Sequence, residues 1–132
     1  MPKIDIFSDG ASRGNPGEAG CGYVVFADGQ EIATGKKYLG QTTNNIAEYS
    51  AVIYALKDQL VKDCIEVNFF LDSELVVKQM KGEYRVKNEG LIPLKAEIDC
   101  LIYGKKVTFT HVPRNQNKIA DRLANEAIDE KA

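Results

Sequence analysis

The stretch Ile-Asp-Ile-Phe-Ser-Asp-Gly-Ala-Ser-Arg-Gly-Asn-Pro-Gly, residues Ile4 to Gly17, constrains this chain more than any other. Ile4, Ile6 and Phe7 have the apolar, β-favouring character of a strand, expected over about Lys3 to Ser8. Gly10, Gly14, Pro16 and Gly17 oppose its continuation. Asp9 is therefore expected where a strand gives way to a glycine turn, so that the strand fixes the carboxylate and the turn admits a ligand to the main chain. An aspartate at such a junction serves equally well as a turn cap, and this stretch alone does not separate the two roles.

The remainder of the chain supplies the frame. Gly20 to Ala27 carries the apolar run Val24-Val25-Phe26, Asp28-Gly29 reads as a hairpin turn, and about Gln30 to Leu39 returns as a third strand, giving an antiparallel meander. From Thr43 to Val61 the period changes: Ala47, Ala51, Val52, Ala55, Leu56 and Leu60 recur at helical spacing, with Thr43 or Asn44 as N-cap. Ile65 to Leu71 is continuous enough for a central parallel strand, and Leu75, Val76, Val77 and Met80 suggest a short helix after it. A further helix is expected over Asn88 to Tyr103, with Pro93 in its first turn. Lys106 to Thr110 reads as the last strand, and His111 leaves it for the polar loop Pro113 to Asn117. Ala120, Leu123, Ala124, Ala127 and Ile128 then mark the final helix.

Four carboxylates sit awkwardly in this frame. Glu48 lies on the apolar stripe of its helix, where an unpartnered carboxylate costs several kcal/mol, so a buried cation or a metal ion is required. Asp72 repeats the strand-exit geometry of Asp9, and Asp121 flanks the inner stripe of the final helix. Each has an ordinary explanation as a cap or dipole partner. All four together are better explained by convergence on one site. Converging carboxylates repel one another, and divalent metal relieves that repulsion. Oxygen ligands without a Cys or His cluster favour a hard cation such as Mg²⁺ or Mn²⁺, and several carboxylates suit two ions about 4 Å apart, an arrangement suited to phosphodiester cleavage.

Bulk properties set limits on the answer. A chain of 132 residues with 44% hydrophobic content fits one globular domain over residues 1–132, burying roughly two-thirds of its unfolded surface. The apolar runs fall short of a membrane span and the Met-Pro-Lys-Ile start lacks an apolar leader core, so a cytoplasmic location and no membrane partner are expected. Cys21, Cys64 and Cys100 lack metal-ligand spacing and are expected as buried thiols. The net charge of −2 argues against a nucleic-acid partner until the four carboxylates are counted as neutralised by two divalent ions, which shifts it to about +2.

The residues carry a resemblance to the type 1 ribonuclease H family, in its short form without a basic protrusion. The matching stretches are Asp9-Gly10-Ala11-Ser12-Arg13-Gly14-Asn15-Pro16-Gly17, Thr42-Thr43-Asn44-Asn45-Ile46-Ala47-Glu48, Leu71-Asp72-Ser73, and His111 through Asn117 to Asp121-Arg122-Leu123-Ala124. The resemblance implies an α/β ribonuclease H-like fold: a five-stranded mixed sheet, an antiparallel three-stranded meander plus two parallel strands, flanked by helices. It implies an endonuclease that cuts the RNA strand of RNA/DNA hybrids by two-metal-ion catalysis and leaves 5′-phosphate and 3′-hydroxyl ends. Asp9 would bridge both ions, Glu48 and Asp72 would complete the leaving-group site, and Asp121 would hold the ion on the attacking-water side. His111 would assist proton shuttling or product departure from a mobile loop. Two Mg²⁺ ions, or Mn²⁺, would be the cofactors, with no organic cofactor; the oligomeric state is not read from the sequence, and a monomer is the default expectation.

By the same resemblance, Gly10, Ala11, Asn44 and Asn45 would contact the RNA strand through its 2′-hydroxyls, the group that distinguishes RNA from DNA. Asn15 and Thr43 would grip a phosphate of the DNA strand, and Asn117 would order the loop before Asp121. The segment Lys78 to Lys95, with Lys78, Lys81, Arg85, Lys87 and Lys95, is compact where longer members carry a basic handle, so weaker hybrid affinity is implied. Glu74 stands where several members have a neutral amide that touches substrate. Rival readings are a tethering module without turnover, which gains nothing from crowded negative charge, and a DNA exonuclease or integrase core, which would lack the paired asparagines. A dinucleotide-binding fold is excluded, because Gly10 to Gly17 lacks the Gly-x-Gly-x-x-Gly spacing and no helix follows it.

Overall fold

A computed structural model describes residues 3–131. The chain runs β1 (Ile4–Ser12), β2 (Gly17–Ala27), β3 (Gln30–Thr42), α1 (Asn44–Lys57), α2 (Gln59–Lys62), β4 (Glu66–Leu71), α3 (Glu74–Met80), α4 (Ile92–Ile102), β5 (Lys106–His111) and α5 (Lys118–Glu130), with a 3₁₀ turn at Arg114–Gln116 before α5. The strands form one five-stranded sheet in the order β3-β2-β1-β4-β5. β1 to β3 pair antiparallel, whereas β4 pairs parallel to both β1 and β5, as the mixed sheet requires.

The expectation that β1 would stop near Ser8 is corrected. β2 begins at Gly17 and holds the rest of β1 by pairing Asp9 with Gly22, Gly10 with Cys21, Ala11 with Gly20 and Ser12 with Ala19. The parallel neighbour ends earlier, at the pair Phe7 and Phe70. Asp9 thus lies inside β1, at the point where one of its two neighbouring strands has gone. Cross-strand pairing outweighs the poor strand preference of glycine here. β3 likewise continues past Leu39 to Thr42, which brings it directly to the start of α1.

The helix expected over Thr43 to Val61 is broken at Asp58, whose backbone is extended (φ −62°, ψ 136°) and whose carboxylate accepts from the Leu60 N–H at 2.9 Å and the Tyr23 hydroxyl at 2.6 Å. Asp58 therefore caps α2, a separate turn, and Leu60 points outward rather than joining the stripe. The helix expected from Asn88 begins at Ile92 because Asn88 folds back to accept from the Gly90 N–H at 2.8 Å, while Pro93 does lie in its first turn. Cys21 and Cys64 are buried, but Cys100 on α4 is exposed, correcting the expectation of three buried thiols.

The main core lies between α1 and one sheet face, where Tyr49, Val52 and Leu56 meet Ile4, Ile6, Val25, Val67 and Phe69, closed by Val76 of α3 and Ile98 of α4. α5 covers the opposite face over β2. A Cβ built on Gly22 would lie 2.6 Å from Leu123 Cβ, and one on Gly20 would lie 2.6 Å from the Ala124 carbonyl oxygen. The two glycines let α5 rest on the strand backbone, and that close approach sets the height of Asp121 above the sheet.

Candidate active site

Glycine 10 assembles the centre of the site. A Cβ there would lie 2.2 Å from the Ala47 carbonyl carbon and 2.3 Å from the Glu48 nitrogen, so α1 crosses β1 in backbone contact. This contact inserts Glu48 beside Asp9. The Gly10 N–H donates to Glu48 Oε1 at 2.9 Å, tying the helix carboxylate to the strand that carries Asp9. Both are buried, at 6% and 4% exposure, and among the described residues neither forms an ion pair with a basic side chain. The ordinary explanation of Glu48, a buried Arg or Lys partner, is thereby removed.

Asp72 follows β4 directly and is held by Asn117, whose Nδ2 donates to the Ser8 carbonyl at 2.9 Å and to Asp72 Oδ2 at 3.3 Å. Asn117 is itself buried, so the loop before α5 is pinned to both strand exits. Carboxylate oxygens of Asp9, Glu48 and Asp72 lie within 4.8 Å of one another. Asp121 stands outside this tight set, on the first turn of α5, and Arg114 Nη2 lies 3.8 Å from its Oδ1.

Burial is the largest cause raising the affinity of Asp9 for a proton, reinforced by the hydrogen bond and charge of Glu48 and by the charge of Asp72. Glu48 is also pushed up, to about 7, by burial first, against the lowering effect of its hydrogen bonds with Asp9 and the Gly10 N–H. Without a cation the pair retains a proton in the neutral range. Glu48 Oε2 is buried and, once Asp9 and Glu48 are both ionised, has no hydrogen-bond donor among the described residues. An orphaned carboxylate oxygen, two close carboxylate neighbours and an all-oxygen donor set fit a hard divalent cation.

These groups floor a cavity of about 330 Å³ lined by Asp9, Glu48, Asp72 and Asp121, with Gly10 and Ala11 of β1 and Asn44 and Asn45 of α1 on its walls. All four predicted carboxylates and four of the predicted substrate contacts are therefore brought together. Asn15 and Thr43 stand just outside: Asn15 Oδ1 accepts from the Asn44 N–H at 3.1 Å, and Thr43 caps α1 by accepting from the Ile46 N–H at 3.3 Å. His111 is not among the lining residues. It is the last residue of β5, exposed and in register with Leu71, rather than a loop residue.

Arg13, Ser73, Arg114 and Asn125 also line the cavity and were not singled out from the sequence. Arg114 carried one usable signal, being the only cation between Val112 and Asn117. Arg13 and Asn125 carried none, since their meeting depends on α5 folding back over the turn after β1.

The RNase H family model matches residues 1–129. The bifunctional protein Rv2228c of Mycobacterium tuberculosis is 42% identical over 130 residues, covering 96% of this chain and 36% of that protein. Ribonuclease HI of Halobacterium salinarum is 40% identical over 130 residues, covering 97% of this chain and 65% of the relative, so the chain spans under two-thirds of either protein. Among solved structures, LC11-RNase H1 in complex with RNA/DNA hybrid superposes with a TM-score of 0.93 at 43% identity, covering 98% of this chain and 99% of that one. With its mixed sheet, its clustered carboxylates and these matches, the chain belongs to the RNase H family.

Proposed function

We propose that the protein is a metal-dependent endonuclease that hydrolyses the RNA strand of RNA/DNA hybrids, leaving 5′-phosphate and 3′-hydroxyl ends. The observation that carries this reading is the cluster of buried Asp9 and Glu48 with half-buried Asp72, without a basic partner among the described residues, at the floor of a cavity walled by backbone and amide groups. Asp9, Glu48, Asp72 and Asp121 would hold two divalent ions, Mg²⁺ or Mn²⁺. When bound, the ions activate a water and stabilise the departing oxygen.

The protein's own groups do the rest. Asp9 and Glu48 give up the proton they share when a cation enters, which couples binding to pH. Gly10 and Ala11 offer backbone and Asn44 and Asn45 offer amide groups at the cavity wall, suited to the 2′-hydroxyls of an RNA strand. Arg114 and Arg13 border the same cavity and supply positive charge for a phosphate. Asn15 and Thr43 are assigned the phosphate of the DNA strand, Asn117 the fixing of Asp72, and His111 assistance in proton transfer or product departure from the end of β5. A monomer acting in the cytoplasm as a single catalytic domain, without an organic cofactor, completes the reading.

The test is cleavage of an end-labelled RNA strand paired with DNA, beside RNA duplex, DNA duplex and single-stranded RNA, in Mg²⁺, Mn²⁺ or EDTA. Internal cuts in the hybrid that require metal and leave 5′-phosphates support the reading. An intact hybrid in both metals, or equal cutting of DNA duplex, overturns it.

A further inference from the structure

Asp121 stands outside the tight cluster, on the side of the cavity where α5 faces Asp9, and the exposed Arg114 guanidinium reaches its Oδ1 only at 3.8 Å. Asn125, one turn further along α5, donates from Nδ2 to the Asp121 carbonyl at 3.0 Å and to Asp121 Oδ1 at 3.3 Å. Its Oδ1 accepts from Arg13 Nη2 at 3.4 Å, and the same Arg13 nitrogen reaches the Asn125 carbonyl at 3.4 Å. Arg13 Nη1 is anchored on Asp129 at 2.7 Å. An uncharged amide accepts from a guanidinium and donates to a carboxylate at once; at this site a carboxylate would repel Asp121 and an alkyl chain would do neither.

We propose that Asn125, braced by Arg13, is a positioning residue for Asp121 that ties this carboxylate to the turn after β1. The turn is fixed in its own right. The Arg13 N–H donates to the Glu18 carbonyl at 2.8 Å, and Asn15 Oδ1 accepts from the Asn44 N–H at 3.1 Å. A continuous path therefore runs from the N-terminus of α1, through the turn, to Arg13, Asn125 and Asp121. The Arg13–Asp129 pair is solvent-exposed, with side chains 45% and 63% accessible, so it adds little to stability. Its effect is directional. The guanidinium holds the Asn125 amide with its oxygen toward the turn and its nitrogen toward Asp121, and so limits the rotamers open to that carboxylate.

This inference rests on the assignment of Asp121 as a metal ligand, and its test does not depend on cleavage alone. Mn²⁺ binding to the substrate-free protein is followed by the loss of the free-ion electron paramagnetic resonance signal, alongside steady-state cleavage of hybrid. Asn125→Ala and the volume-matched Asn125→Leu are expected to weaken Mn²⁺ binding about tenfold and slow turnover similarly, with KM within about twofold of the parent. Arg13→Ala acts in the same direction but less. In an Asp121→Asn background, Asn125→Ala produces no further loss of Mn²⁺ affinity, whereas a residue that merely supported α5 would cost the same in either background. Parental Mn²⁺ affinity in both Asn125 variants, or equal losses with and without Asp121, overturns the proposal. A parent that binds Mn²⁺ yet cuts no hybrid would refute the nuclease reading while leaving the Mn²⁺ comparison to decide this one.

Discussion

At the scale of single residues the site rests on a missing methyl group and a buried proton. Gly10→Ala would place a Cβ 2.2 Å from the Ala47 carbonyl carbon, against backbone that cannot turn aside. The expected cost is about 3 kcal/mol or more of stability, read as the urea midpoint, together with loss of cleavage because α1 must lift Glu48 away from Asp9. Asp9→Asn has the opposite effect on stability. Removing a carboxylate whose burial disfavours its charge should stabilise the metal-free protein at pH 8 by about 1–3 kcal/mol, while hybrid cleavage falls to background. A thermal melt in EDTA and a cleavage assay check the two halves; an unstabilised or still active variant would remove Asp9 from the centre. The convergence of Asp9 and Glu48 was legible in the sequence because each breaks a local rule, one beside glycines and one on an apolar stripe. Arg114 and Asn125 break none. An arginine in a polar loop and an asparagine on a helix are ordinary until the fold sets them beside Asp121.

Among the elements, the sequence marked strand and helix types well and their ends less well, for identifiable reasons. β1 outran its glycines because β2 pairs with it as far as Ser12, and the helix after Thr43 ended early because Asp58 finds both the Leu60 N–H and the Tyr23 hydroxyl. The β2 pairing and the Tyr23 hydroxyl belong to other elements, and the Leu60 N–H, two residues on, is a local cap that apolar periodicity does not register. The start of α1 was legible, since Thr43 caps it as its residue type suggested. Thr43 carries two assignments, a cap and a phosphate contact, and they can be separated. Thr43→Ala is expected to cost about 1 kcal/mol of stability and raise KM for hybrid severalfold, whereas Thr43→Ser restores both. An alanine variant with parental KM would leave Thr43 as a cap alone. The basic segment after α3 is partly spent internally: Lys78 lies 3.9 Å from Glu74 and 5.0 Å from the Tyr84 ring centre, Lys81 lies 3.8 Å from Glu83 and Lys95 2.7 Å from Asp99. Arg85 and Lys87 form no ion pair among the described residues, and of this segment they are the side chains most available to a phosphate backbone.

For the whole molecule, the site and the stability of the fold are linked through protons and metal. The carboxyl of Glu48 is raised from 4.5 to about 7 and that of Asp9 is raised further, both chiefly by burial. A group with a raised folded-state pKa leaves the native state most favoured below its unfolded value, and that advantage is lost as pH climbs through the folded value. The metal-free protein should therefore lose stability between about pH 4.5 and pH 7, and continue to lose it above as Asp9 is forced to ionise. Divalent metal reverses the slope, because cation binding needs the ionised carboxylates and releases their protons. At 100 times its dissociation constant, a bound ion contributes about 2.7 kcal/mol, which corresponds to roughly 10 °C in a domain of this size. Melting curves at pH 5, 6, 7 and 8, in EDTA and in Mg²⁺ or Mn²⁺, should thus diverge with rising pH: the EDTA midpoints fall while the gap between the two series widens. Parallel curves would mean that the buried carboxylates are satisfied by the protein alone. In an Asp9→Asn variant the divergence should largely vanish, which would assign the linkage to this cluster and not to the exposed acidic groups elsewhere on the surface.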